Sequence, residues 1–383
     1  MENEKKIYTG KDESLMPGYI VYDPLAHNEE KKYRDEERMY QGIPSIERTT
    51  NGTLLYAFYS GGVTEQAGNF ILLYKNVSKD GFDFQPIMAI EPPTKDCRVF
   101  DPCLWVDPFG RLWFFYAQCY ATHPHYDSRY GVWAAVCDKP DEKLEFSAPR
   151  RIANGIMMNK PTVMKDGRWL LCCAIWHAYP TVHNCIPEEN FSNVYASFDN
   201  GESFELIGHS ATERRMIDEH MIIERDDGRA MMYIRSAGGI SRSFSSDGGR
   251  TWDDEHGLVH LGTNSRFCLR TLKSGNVLLV YHPNGVGRSY ITAWLSKDGG
   301  ETFEGGLLLD ERKETSYPDM TEDDNGNLYI CYDYNRQTDK EMLLAIVTEE
   351  DILAGKLVNE NSKLKILVNK GLADNPAVSR KGV

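Results

Sequence analysis

The chain has 383 residues, 41 % of them hydrophobic and 11 % aromatic, enough apolar material for a large buried core. A net charge of −14 argues against nucleic acid or an anionic membrane as a partner, but not against a small anionic ligand held by a local arginine cluster. No apolar signal segment or membrane-spanning run is present, and nine cysteines without C-x-x-C spacing suit reduced core thiols, so a cytoplasmic chain without metal or cofactor is expected.

Residues 1–40 read as an arm. Within it Tyr19-Ile20-Val21-Tyr22 has the composition of a strand, and the segment Gly18 to Asp23 is expected to close the ring by joining the last repeat. The charged run EEKKYRDEERMY reads as solvated surface. Residues 41–370 read as a single domain, and the tail from Gly371 to Val383 as poorly ordered.

From Gly42 onward one pattern recurs six times: a short strand, a polar turn ending in Gly, then a very apolar strand. The copies begin at Gly42, Phe100, Asn159, Glu219, Ser265 and Ser316, with spacings of 58, 59, 60, 46 and 51 residues. Strands and Gly turns at a period near 50 are the signature of a β-propeller with one four-stranded sheet per repeat. The expected fold is therefore all-β, a six-bladed propeller. Stacking blades face to face also explains why LLYAFY, LWFFY and WLLCCAIW are apolar on both sides rather than alternating.

A second signature falls later in the copies: SFDNGESF at 197–204, SSDGGRTW at 245–252, SKDGGETF at 296–303, and a shortened SKDGFDF at 78–84. In each of these Asp boxes the Asp bonds backbone amides of a tight turn, Gly supplies positive φ, and the aromatic packs back as a plug. They read as scaffold. CDKPDEKLEF is a degenerate copy, and TEEDILAG reads as a short helical turn. SKLKILVNK adds an outer strand.

In a propeller the axial mouth gathers the beginnings of the first strands, the ends of the second and the beginnings of the third. These positions hold Arg98 with Asp101, Lys160, Glu219 with His220, Arg266 and Tyr317; then His177, Arg235, His282 and Asp333; then Asn69, Arg129 and Arg288. Several arginines from separate segments suit bidentate capture of a carboxylate. His123-Pro124-His125 lacks a third ligand and reads as a loop.

The boxes, the six copies and these positions resemble the sialidase (neuraminidase) superfamily of glycosidases over residues 40–350. EHMIIERDDG followed by YIR resembles the segment that, in that family, carries the helper carboxylate and one carboxylate-binding arginine; this maps those roles onto Glu219 and Arg235. RSYITAWLSKDGGETF maps a second such arginine onto Arg288, and SYPDMTEDDNGNLYICYD maps the nucleophilic tyrosine onto Tyr317. Where the family opens its first blade with Arg-Ile-Pro, this chain has Gly42-Ile43-Pro44. Arg98 and Arg266 are candidates for the missing cation, with Lys160 and His220 as further substrate-side groups. For the acid, Glu65 in the loop after the first hairpin competes with Asp101.

The resemblance implies an exo-glycosidase acting on a small glycoside of an acidic sugar. Its anomeric carbon bears a carboxylate, so a neutral Tyr is a better nucleophile than a carboxylate would be. A free phenol ionises near pH 10 (about), so Tyr317 needs Glu219 as a base within hydrogen-bonding reach. Two other classes fit the same residues: a non-catalytic carbohydrate-binding propeller, and a glycosidase or lyase for uronic acids built on His177, His220 or His282.

Overall fold

A computed structural model describes residues 15–26, 31–78, 81–120, 130–176, 186–253 and 257–379. Among them the strands form six antiparallel sheets, each built from strands consecutive in sequence. Blade 1 holds Gln41–Arg48, Leu54–Ser60, Phe70–Asn76 and Phe84–Glu91; blade 2 holds Cys97–Val106, Leu112–Tyr120, Gly131–Cys137 and Arg150–Asn154. Blade 3 holds Thr162–Val163, Trp169–Ala174, Ser192–Ser197 and Glu205–Ser210; blade 4 holds Met221–Glu224, Ala230–Ser236, Gly239–Ser245 and Leu258–Leu261. Blade 5 holds Cys268–Thr271, Val277–Tyr281, Ser289–Ser296 and Glu304–Lys313; blade 6 holds Thr315–Glu322, Leu328–Tyr334, Glu341–Val347 and Lys363–Lys370. First strands of neighbouring blades touch at five of the six junctions, including blade 6 with blade 1, and blades 2 and 3 meet through Arg150–Asn154 and Trp169–Ala174, so the ring is closed. This is the six-bladed propeller expected from the repeat.

The second strands are buried along their whole length in blades 1, 3 and 4, as faces covered on both sides require. Apolar clusters run between blades rather than within them. Trp105 and Trp113 of blade 2, for example, meet Trp169 of blade 3 edge to face at 4.8 and 5.6 Å. The Asp boxes close the outer turns as their chemistry predicts. Asp247 Oδ1 accepts from Ser245 Oγ at 2.8 Å and Thr251 N at 2.9 Å, and Thr251 Oγ1 donates to Oδ2 at 2.6 Å. Asp199 and Asp298 repeat the arrangement with Ser203 and Thr302. TEEDILAG contains the helix Glu349–Ala354, capped by Thr348 and ended by Gly355 at φ 65°.

Three expectations are corrected. Tyr19–Tyr22 pairs with Phe84–Glu91 as a fifth, outermost strand of blade 1, and the last blade is completed by its own Lys363–Lys370. The run EEKKYRDEERMY is not simply solvated surface. Its Arg38 is fully buried and donates to Tyr33 O at 2.6 Å, Asp35 Oδ1 at 2.6 Å, Asn369 Oδ1 at 2.6 Å and Gln41 Oε1 at 3.1 Å. That knot ties the start of blade 1 to the last strand of blade 6 through hydrogen bonds, which hydrophobic patterning does not reveal. The tail docks as far as Asn375: Leu372 N donates to Asp35 O at 2.7 Å, and Asn375 Nδ2 reaches Met39 O at 2.9 Å and Val63 O at 2.8 Å.

Candidate active site

The first strands of blades 1, 2 and 6 share a backbone device. The ladder of each skips two residues, between Gly42 and Ser45, Phe100 and Cys103, and Ser316 and Asp319. The residues passed over are Ile43-Pro44, Asp101-Pro102 and Tyr317-Pro318. Pro cannot donate to a ladder. The residue before it takes positive φ in all three: 56° at Ile43, 50° at Asp101 and 55° at Tyr317. Non-glycine residues held there cost about 1–3 kcal/mol each and cluster where a side chain must be aimed.

Tyr317 is aimed at Glu219. Its hydroxyl donates to Glu219 Oε1 at 2.6 Å, while Arg235 Nη1 donates to Glu219 Oε2 at 2.7 Å and to Tyr317 Oη at 3.3 Å. Arg235 is fixed in turn by Asn264, through Oδ1 at 2.7 Å and the backbone carbonyl at 3.2 Å. Burial raises the Tyr317 phenol and the Glu219 charge raises it further; Arg235, Arg288 and Arg336 pull the other way, leaving it at about 12. The phenol is therefore protonated near neutrality, with its proton already directed at a carboxylate.

The arginines divide into groups. Arg288 lies 5.1 Å from the centre of the Tyr317 ring, reaches Ser316 Oγ at 3.5 Å, and has no carboxylate partner among the described residues. Arg98 stacks 4.0 Å over Phe100 and approaches Glu65 at 3.7 Å. Arg266 is bound to Asn159 Oδ1 and Met158 O, both at 2.8 Å, with its Cζ 5.9 Å from the Tyr317 ring.

The two acid candidates differ sharply. Burial acts to raise Glu65, but Arg98, Arg336 and hydrogen bonds from Tyr59 and Tyr40 outweigh it and hold the carboxylate below its ordinary value. Asp101 is 2 % exposed, and its Oδ1 has no hydrogen-bond partner among the described residues. Burial chiefly, then the charges of Glu65 and Glu219, push it up to about 8 against the pull of Arg98 and Arg336.

Lys160, expected near substrate, instead sits in the axial core. Its ammonium donates to Ile46 O at 2.7 Å and to Leu104 O, and pairs with Glu47 Oε2 at 3.2 Å and Asp319 Oδ2 at 3.3 Å. These partners come from blades 1, 2 and 6, so Lys160 pins inner strands together. His220 has one ring nitrogen 2.7 Å from Asp218 O and the other 2.7 Å from Asn193 O, which ties the backbone just before Glu219 to the third strand of blade 3. Burial and the Arg288 charge hold His282 down to about 4, and its Nε2 meets Thr315 O at 2.8 Å. His177, Arg129, His123 and His125 lie outside the described residues. Among the described residues no cluster of His, Cys, Asp or Glu is arranged to hold a metal.

A cavity of about 330 Å³ opens over this cluster, with Tyr40, Glu65, Arg288, Ser316, Arg336 and Gln337 in its wall. A larger one of about 540 Å³ lies on the outer rim, between Tyr22, Lys75 and Ile87 of blade 1 and the loop Pro140–Phe146; none of the converging groups borders it. Sequence reasoning missed Tyr40, whose hydroxyl donates to Glu65 Oε1 at 3.1 Å, and Arg336, whose guanidinium lies 4.3 Å from the Tyr317 ring. Both stand outside the recurring pattern. The recurrence of X-Pro at Ile43-Pro44, Asp101-Pro102 and Tyr317-Pro318 was the available signal for which first-strand residues are re-aimed.

Comparison with known proteins follows the same lines. Residues 52–330 match the family described as "BNR repeat-like domain". Among solved structures, the Hadza microbial sialidase Hz136 superposes with a TM-score of 0.64 at 20 % identity, over 82 % of this chain and 66 % of that one. The leech intramolecular trans-sialidase gives 0.62 at 13 % identity, over 88 % of this chain and 71 % of that one. The intramolecular trans-sialidase of Ruminococcus gnavus gives 0.60 at 12 % identity, over 82 % and 95 %. Identities this low establish the shared fold alone. No match is found among curated protein sequences.

Proposed function

We propose that this chain, which belongs to the BNR repeat-like domain family, is a sialidase-like exo-glycoside hydrolase acting on a small glycoside of an acidic sugar. The observation that carries the reading is the continuous hydrogen-bonded chain Tyr317–Glu219–Arg235, buried beside a pocket whose wall holds Arg288 and Arg336, both of which stand over the Tyr317 ring.

In the first half-reaction Tyr317 Oη attacks the anomeric carbon and passes its proton to Glu219, the acceptor at 2.6 Å. Asp101, kept protonated near neutrality, gives its proton to the departing glycosidic oxygen. The anomeric C–O bond breaks as the tyrosyl–glycosyl bond forms. In the second half, water attacks that carbon and yields its proton to Asp101, and Tyr317 recovers its proton from Glu219. Two displacements at one carbon retain configuration. Arg235 and Arg288 orient the sugar carboxylate and offset charge at the reacting centre. Glu65, held ionised by its arginine neighbours, is a poorer acid than Asp101.

The test is turnover of an aryl sialoside and a panel of aryl uronides by wild type, Tyr317→Phe and Glu219→Gln. Losses of roughly 10²-fold or more are expected in both variants, in the range for removal of acid–base catalysis. Activity insensitive to both substitutions would sink the mechanism. Binding of an acidic sugar without turnover would instead identify a non-catalytic carbohydrate-binding propeller.

A further inference from the structure

Arg336 lies just beyond Leu328–Tyr334, the second strand of blade 6, yet its side chain runs across the first strand of blade 1 at Gly42. A β-carbon on residue 42 would stand 2.6 Å from Arg336 Cδ and 2.8 Å from both Cγ and Nε. Contacts that short do not occur, so residue 42 is glycine because the arginine occupies the volume its side chain would fill. Residue 42 is also where the first blade lacks the arginine found in Arg-Ile-Pro.

The guanidinium is held in place from below. Its Nε donates to Asp333 Oδ2 at 2.8 Å and its Nη2 to Ser316 Oγ at 2.9 Å. Asp333 is itself fixed by Ile43 N at 2.8 Å and Ser316 Oγ at 2.5 Å. The remaining nitrogen, Nη1, faces Glu65 at 3.5 Å, an ion pair longer than a good hydrogen bond. Arg336 and Arg288 share the wall of the 330 Å³ cavity, and both stand over the Tyr317 ring, at 4.3 and 5.1 Å.

We propose that Arg336 is a substrate-binding residue which, with Arg288, takes the carboxylate of the acidic sugar, entering from blade 6 the space left open by Gly42. The substrate carboxylate replaces Glu65 as the partner of Nη1, while Asp333 and Ser316 keep the side chain in place. The proposal rests on reading the site as one for acidic sugars.

Two measurements test it. Calorimetric titration compares N-acetylneuraminic acid and glucuronic acid with their methyl esters, which lack the charge. Wild type is expected to prefer at least one acid over its ester, and Arg336→Met to lose roughly 10- to 100-fold of that preference, the range for one charge-assisted contact. In kinetics the same variant raises KM for the best aryl glycoside by a similar factor. The double variant Gly42→Arg/Arg336→Gly, which returns the cation from the other strand, recovers most of the loss. Arg336→Lys and Gly42→Ala keep the charge while moving it, and are expected to give intermediate losses, which separates misplacement from unfolding. If Arg336→Met keeps the acid-over-ester preference while Tyr317→Phe still abolishes turnover, the assignment of Arg336 fails and the proposed function stands. If wild type prefers neither acid, the anion site itself is refuted. Turnover indifferent to Tyr317 overturns the mechanism, whatever Arg336 does.

Discussion

Asp101→Asn separates a buried, protonated carboxyl from an ordinary one. In the folded chain the group faces Glu65 and Glu219, with Arg98 and Arg336 opposing, and burial dominates, so its proton is held up to about pH 8. Unfolded, the same group loses its proton near pH 4 (about). The folded value is the raised one, so the stabilisation linked to this proton is complete below about pH 4 and is lost as pH rises toward about 8. One proton retained by the native state alone gives a slope of about 1.4 kcal/mol per pH unit. From pH 5 to pH 7 wild type therefore loses about 3 kcal/mol that the Asn variant keeps. Asn is close to isosteric, so the two stability curves are expected to meet near the acid end and diverge with rising pH.

Urea unfolding of both proteins at half-unit steps from pH 5 to 9 measures that divergence directly. The kinetic counterpart is an alkaline limb in kcat/KM near pH 8 in wild type, absent from the variant. The variant loses roughly 10²- to 10⁴-fold in rate on glycosides with basic leaving groups, and less on aryl glycosides, whose phenols depart with little help. Parallel stability curves, together with an unchanged alkaline limb, would refute the assignment of a protonated Asp101 and return Glu65 to contention as the acid.

Two substitutions test residues assigned to the scaffold. Lys160→Met leaves Glu47 and Asp319 buried without their cation, and is expected to lower unfolding stability by about 3–5 kcal/mol with KM unchanged; a raised KM at unchanged stability would put Lys160 back at the substrate. Arg38→Met removes the knot between blades 1 and 6, and is expected to cost about 2–3 kcal/mol, with hydrogen-exchange protection falling first in Gln41–Arg48 and Lys363–Lys370. Uniform protection across the six sheets would show that apolar packing alone closes the ring.

The propeller was legible because each blade repeats the same local solution: Gly turn, doubly apolar second strand, Asp box. Glu219, Arg235, Arg288 and Tyr317 were legible as departures from that sameness, and the structure brings all four together. Arg336 and Tyr40 were not, because each works through a partner on a different segment. Gly42 is explained only by an arginine from the opposite end of the chain, and Tyr40 only by Glu65 beyond the next hairpin. Arg38 was hidden for a related reason: charged residues pattern as surface whether they meet water or a ring of carbonyl and carboxamide oxygens.

Lys160 shows where position within the repeat stops being informative. Asn159-Lys160-Pro161 has the same X-Pro form as Phe100-Asp101-Pro102 and Ser316-Tyr317-Pro318. In blades 2 and 6 the residue before Pro is passed over by the ladder and takes positive φ, and its side chain joins the cluster under the cavity. In blade 3 the first strand begins only at Thr162 and has no such skip, and Lys160 joins Glu47 and Asp319 in the axial core. Blade 1 has the bulge but places apolar Ile43 in it, packed in the same core cluster as Tyr317. Under the proposed mechanism the nucleophile Tyr317 and the acid Asp101 both sit where such a bulge re-aims the side chain, while the base Glu219 reaches Tyr317 from just before the first strand of blade 4, which has no bulge. Blade 1, whose bulge carries no reactive group, instead contributes through the absent side chain of Gly42, which admits Arg336 from its neighbour.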